Sequence, residues 1–344
     1  MKKHIHTIAK IALITTYLVI FAGAFVRMTG SGMGCPDWPK CFGYYIPPTE
    51  RTQLEWQQNH TYNKGQVIIL NETLQVAKTT FTTSNVFNKS NWEHYTKHDY
   101  AIFNPLHTWV EYINRLLGVL AGFATLILAV AAFSYWKNNK AIPLLSVFIV
   151  LGMGFQAWLG KTVVDSNLAP LKITIHMVMA LLIVACILYI VFKTKPNKTE
   201  FKTNTKFKNV LIIASFLTLI QIVLGTQVRQ FVDEQTKIFG DENAILWLNN
   251  PAITFYIHRS FSIIVLLVNG YLLYLVKKSH LNYTKINWVM AILIVEVISG
   301  IAMAYLHFPF GSQTLHLVLA CILFGLQYYL ILEAFNTKNK LQTL

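Results

Sequence analysis

Apolar residues in this chain fall in blocks near twenty long, separated by short stretches that carry most of the polar residues. A helix needs about twenty apolar residues to cross the hydrocarbon layer of a bilayer. Eight such blocks predict helices over roughly 11–27, 106–133, 142–160, 171–192, 210–228, 254–275, 287–304 and 314–333. The reading is therefore an all-α, polytopic membrane protein with eight transmembrane helices. The stretch over about 28–105 is long and polar, and it is the one place for a small structure outside the membrane.

The pattern repeats. Gly23-Ala24-Phe25-Val26-Arg27 matches Gly225-Thr226-Gln227-Val228-Arg229, and Asn114-Arg115 matches His258-Arg259. Gln156 and Gly160 match Glu296 and Gly300, and His176-Met177-Val178-Met179-Ala180 matches His316-Leu317-Val318-Leu319-Ala320. Four helices return the chain to its starting side, so the two halves are parallel copies. The expected organisation is two pseudo-symmetric four-helix bundles, 1–200 and 201–344, the first carrying the long outer loop.

Composition agrees with a membrane protein. Of 344 residues, 54% are hydrophobic and 13% charged, against about a quarter charged in a soluble domain. The net charge of +14 would suit nucleic acid if it were clustered on a soluble face. Instead the lysines sit in short loops: Lys137 and Lys140; Lys193, Lys195, Lys198, Lys202, Lys206 and Lys208; Lys277, Lys278 and Lys285. Together with Lys2, Lys3 and Lys10 at one end and Lys338 and Lys340 at the other, they put both termini on the cytoplasmic side of a cell (inner) membrane. The N-terminus resembles a signal peptide ending at Ala22-Gly23-Ala24, but its counterpart later in the chain identifies it as a helix of the fold.

Candidate chemistry gathers at the helix ends. In the second helix His107, Glu111 and Asn114 are spaced i, i+4, i+7 and share one face. Ionisable groups at membrane depth mark function by default, against the plainer alternative of an interfacial cap. His258 and His316 should lie at similar depth near the outer ends of helices six and eight. Facing histidines in a bundle core can hold a haem axially, whereas zinc would want three or four ligands. The first half supplies His176 opposite Asn114. Arg27, Arg115, Arg229 and Arg259 lie near the outer surface, where they can pair with haem propionates or simply snorkel. Glu296 and Gln156 occupy equivalent mid-helix sites with either packing or proton relay open to them. Cys35 and Cys41 share the outer loop, as a disulfide or as reactive thiols. Cys186 and Cys321 lie in apolar helices and behave as small hydrophobes.

These residues resemble the heme A synthases. The likeness is most specific at Val26-Arg27-Met28-Thr29-Gly30-Ser31-Gly32, leading into the Cys35/Cys41 loop, and is added to by Glu111, His258-Arg259, His176 and His316. It covers nearly the whole chain apart from about 50–100. The resemblance implies oxidation of the C8 methyl of haem O to a formyl group, giving haem A for terminal oxidases. It implies a haem b cofactor on His258 and His316, and a substrate haem near His176 and Glu111, with Glu111 the catalytic carboxylate that shuttles protons or stabilises a developing cation. It also implies haem O synthase and a quinol or other electron donor as partners within the bilayer, and no nucleic acid. The family pattern in helix two is Glu-x-x-His, where this chain has Glu111-Tyr112-Ile113-Asn114. His107 shares the face but lies seven residues earlier, about 10 Å along the helix, so His176 is expected to be the sole protein ligand of the substrate haem. Two other readings stand beside this one: a di-haem b cytochrome oxidising quinol, which predicts two complete histidine pairs, and a haem carrier, which predicts helices broken at midplane.

Overall fold

A computed structural model describes residues 4–98, 101–196, 201–202 and 204–336. Lys2, Lys3, Lys198, Lys338, Lys340 and the expected junction at residue 200 lie outside the described residues. Among the described residues, eight helices are long and apolar enough to span a bilayer: α1 Ile5–Met28, α2 Pro105–Ala132, α3 Ala141–Asp165, α4 Pro170–Thr194, α5 Thr205–Phe239, α6 Ile253–Lys278, α7 Lys285–Tyr305 and α8 Ser312–Phe335. The chain is a multi-pass, all-α membrane protein.

Helix boundaries follow local chemistry. Pro105 opens α2, where its missing N–H costs nothing, and the Asn104 side chain accepts the amides of Leu106 and His107 at 3.0 and 3.3 Å. The α5 helix runs eleven residues beyond the expected end at Val228. Polar side chains ended the hydropathy signal there, but they support the helix. Arg229 pairs with Asp233 at 2.8 Å and Gln230 with Glu234 at 3.0 Å, both at i,i+4. The helix stops at Gly240, which has φ of 79°. Its 35 residues span about 52 Å at 1.5 Å per residue, well over the ~30 Å hydrocarbon core.

By backbone proximity the chain divides into two compact units, and α1 to α4 each contribute residues to both. The first holds the chain up to Phe21, Ala121–Met153 and everything from Met177 onward. Within it α5 packs on α6, α6 on α7, α7 on α8 and α8 back on α5, closing a four-helix bundle. Its core includes Phe207, Leu211, Leu272, Val289 and Leu330. In the same unit Ile5 and Ala9 of α1, Leu128 of α2, Ile149 of α3 and Ile187 of α4 share one apolar cluster. A third cluster joins Ile20, Leu181 and Val184 to Ile222, Cys321 and Phe324.

The second unit holds Ala22–Leu120 and Gly154–His176. The long loop here is folded. Strands β1 Thr61–Tyr62, β2 Val67–Leu70, β3 Thr73–Ala77, β4 Phe81–Thr82 and β5 Trp92–His94 form two antiparallel sheets, β2-β3-β5 and β1-β4. Leu70 pairs with Thr73 across Asn71 and Glu72, both at positive φ, the signature of a tight two-residue hairpin. Alternation along β2 sends Ile68 to an aromatic cluster with Tyr62 and Trp92. It sends Val67 and Ile69 to a cluster with Cys35, Cys41 and Phe42.

Candidate functional site

His258 lies in the second turn of α6 and His316 in the second turn of α8. Their rings face each other with centroids 6.4 Å apart and planes at 68°. A metal–imidazole bond is about 2 Å, so two rings axial to one iron sit roughly 6–6.5 Å apart between centroids. The pair therefore fits a haem. Opposite each ring stands a glycine: a methyl added to Gly225 would come within 3.1 Å of His258 Cε1, and one on Gly300 within 3.7 Å of His316 Cε1.

The His316 ring is fixed from behind. Its Nδ1 lies 2.9 Å from Glu296 Oε2 and 2.8 Å from Ser299 Oγ. The Ser299 hydroxyl already donates to the Glu296 carbonyl at 3.0 Å, so its oxygen is an acceptor toward the ring. Nδ1 thus carries the proton and donates to both, and Nε2 is left with a free lone pair for a metal. Behind His258, the Gln221 amide reaches the His258 carbonyl at 3.0 Å and the ring Nε2 at 3.4 Å.

The first half repeats this frame with different chemistry. A methyl on Gly160 would lie 3.8 Å from His176 Cε1, as Gly300 relates to His316. A methyl on Gly23 would lie 3.9 Å from Asn114 Oδ1, as Gly225 relates to His258. Asn114 thus holds the place of His258, and its buried Oδ1 has no hydrogen-bond partner among the described residues. Gln156, at the place of Glu296, donates to the His176 carbonyl at 3.0 Å. The His176 Nδ1 is buried without a partner among the described residues.

Glu111 and Arg115, four residues apart on α2, are bound to the outer loop. Cys35 and Cys41 form a disulfide with Cα atoms 4.6 Å apart. The Cys35 amide donates to Glu111 Oε2 at 2.8 Å, and Arg115 donates to Glu111 Oε1 at 2.5 Å. Arg115 also donates to the carbonyls of Cys35, Asp37 and Lys40 at 3.0, 3.1 and 2.9 Å. Asp37 closes the loop on itself by accepting the amides of Phe42 and Gly43. Burial pushes the Asp37 carboxyl above the usual carboxylate range, with these two amides opposing the shift. Thr108 Oγ1 donates to the Gly34 carbonyl at 2.9 Å. Gly34 itself lies so close to α2 that a methyl there would be 2.5 Å from the His107 carbonyl.

The remaining expected residues separate. His107 sits half-buried in the first turn of α2, where its backbone carries the contact with Gly34. Arg229 pairs with Asp233, and the exposed Arg259 lies over the Tyr256 ring at 5.7 Å. Arg27 is half-buried in the last turn of α1. Sequence reasoning placed Gln156 and Glu296 in register but missed that each serves the histidine of its own half. The i,i+4 spacing of Glu111 and Arg115 is a signal for their pairing. The backbone carbonyls that Arg115 gathers leave no mark in side-chain identity.

Residues 6–328 match the cytochrome oxidase assembly protein family. The chain belongs to this family. Among relatives of this family member, the Ehrlichia canis protein is 26% identical over 91% of this chain and 88% of its own length. The Listeria monocytogenes protein is 20% identical over 98% of each. The Shewanella oneidensis protein is 27% identical over 63% of this chain, a match that spans only 54% of that protein. All three carry the name heme A synthase.

Proposed function

We propose that this chain is a heme A synthase, an oxidoreductase that converts the C8 methyl of haem O to a formyl group. The observation that carries this reading is the family match over residues 6–328, with relatives named heme A synthase that align over 88% and 98% of their length. The frame of glycines and ligand positions occurs twice, but with two histidines in one half and one in the other. The complete pair, His258 and His316, suits a resident haem b, which when bound supplies one-electron transfer. The incomplete pair suits a haem that must enter, react and leave. His176 holds the substrate haem from one side, and Asn114 leaves the other side free of a protein ligand. The two bundles, 1–200 and 201–344, thereby divide substrate from cofactor.

The chain's own residues shape the first site. Gly23 and Gly160 leave room for a flat macrocycle between α1, α2, α3 and α4. Glu111, the catalytic carboxylate of this reading, has both oxygens engaged and also holds the Cys35–Cys41 loop over this end of the unit through the Cys35 amide. Arg115 shares that task, which leaves Arg27, Arg229 and Arg259 as candidate partners for propionates. The lysine-bearing loops after α2, α4 and α6 support cytoplasmic termini in a cell membrane. With dioxygen as oxidant, each hydroxylation puts one oxygen atom into the methyl group and reduces the other to water with two electrons from a quinol or other membrane donor; the substrate comes from haem O synthase.

A di-haem cytochrome would need two histidine pairs, and Asn114 breaks one. The test is the pigment and its ligation. Haems extracted from purified protein should be haem B together with haem O or A, and haem B alone would favour the cytochrome. With haem O loaded and the protein reduced, carbon monoxide should bind the substrate haem and spare the haem b. His107→Ala should leave this unchanged. Two haems that resist carbon monoxide, one of them opened by His107→Ala, would make His107 the missing ligand.

A further inference from the structure

The two halves differ behind the histidine as well as in front of it. In the second half the His316 N–H faces a carboxylate and a hydroxyl, at 2.9 and 2.8 Å. In the first half the equivalent positions are Gln156 and Leu159. The Gln156 amide points to the His176 backbone carbonyl, and the ring Nδ1 has no hydrogen-bond partner among the described residues. An imidazole that donates to a carboxylate is a stronger electron donor and is held in one tautomer and one orientation. The Glu296 side chain is only about one-tenth exposed, and a carboxylate placed in such an environment needs a specific partner. The partner here is the ligand ring.

We propose that Glu296, with Ser299, is a positioning residue acting through His316, and that it is what makes the second-half haem a resident of low potential. The matching glutamine in the first half leaves His176 a weaker ligand from which a haem can leave. This inference rests on the reading that His258 and His316 hold a haem. Glu296 touches no substrate. It orients the ligand, raises its basicity and sets a negative group near the iron, which favours the oxidised state.

The test uses purified holoenzyme. Glu296→Gln keeps an acceptor for the His316 N–H and removes the charge. The haem should remain six-coordinate and low-spin, and its midpoint potential should rise. Its loss to an excess of apoglobin scavenger should quicken by about 10–100-fold, the usual effect of removing such a partner. A purely structural role, tying α7 to α8, would lower thermal stability and leave the potential where it was. An unchanged potential and unchanged loss rate overturn the proposal. His316→Ala separates this from the underlying reading: if that variant keeps the low-spin b spectrum, the haem assignment itself fails. Gln156→Glu gives an independent arm should Glu296→Gln not accumulate. A carboxylate cannot donate to the His176 carbonyl, so it should turn to the unpartnered ring N–H. Haem bound in the first half should then leave about 10–100-fold more slowly. Unchanged release counts against the proposal.

Discussion

At the scale of single residues, the sequence singles out groups more readily than it names their partners. The histidines were legible because a buried imidazole in an apolar helix stands out, and because His176 and His316 sit in matching pentapeptides. Glu111 was legible for the same reason, yet its setting was not. The sequence reading put it beside a substrate; in the fold its oxygens receive an N–H from Cys35 and the guanidinium of Arg115. Glu111→Gln should still accept the Cys35 amide but lose the ion pair, leaving the Arg115 guanidinium half-buried without its charge partner. Haem content should persist while conversion of haem O falls steeply, measured by the haem A formed per unit of protein. Normal conversion in this variant would remove Glu111 from any part in the reaction.

At the scale of elements, hydropathy found all eight helices and located the ends of α2 to within a residue. It failed where helix and membrane part company. The extension of α5 is polar, and only pair spacing reveals it. The loop strands were missed because they are two to five residues long, too short for alternation to rise above chance. What pins the loop is a set of main-chain acceptors gathered by one guanidinium, and the fork of arginine suits this where the ammonium of lysine does not. Arg115→Lys should therefore free the loop while α2 stays helical. Limited proteolysis should cut between Cys35 and Tyr44 in the variant several-fold faster than in the wild type, with equal helical circular dichroism. Equal cleavage rates would show that the disulfide and Asp37 hold the loop unaided. Peptide mapping without reductant should find Cys35 and Cys41 joined in both.

At the scale of the whole molecule, duplication was readable from the sequence, and so was the point where the copies diverge. Less readable was what the copies retain. A glycine faces each of the four matching positions, His176, His258, His316 and the one where an asparagine stands in place of histidine. Pocket width and ligand identity are thus specified by different helices: α1, α3, α5 and α7 set the gap, and α2, α4, α6 and α8 supply what projects into it. Crowding His258 should be punished most, since its glycine has the least room. Gly225→Ala should weaken or distort the haem b spectrum, whereas Gly300→Ala, with an ordinary contact distance, should be tolerated; equal effects would show that the gap is set elsewhere. On the Asn114 side the gap opposite is already open, so a ring introduced there would meet a prepared space. Asparagine and histidine codons differ in their first base alone. A single transversion at codon 114 would place an imidazole in that space and complete the Glu-x-x-His spacing from Glu111.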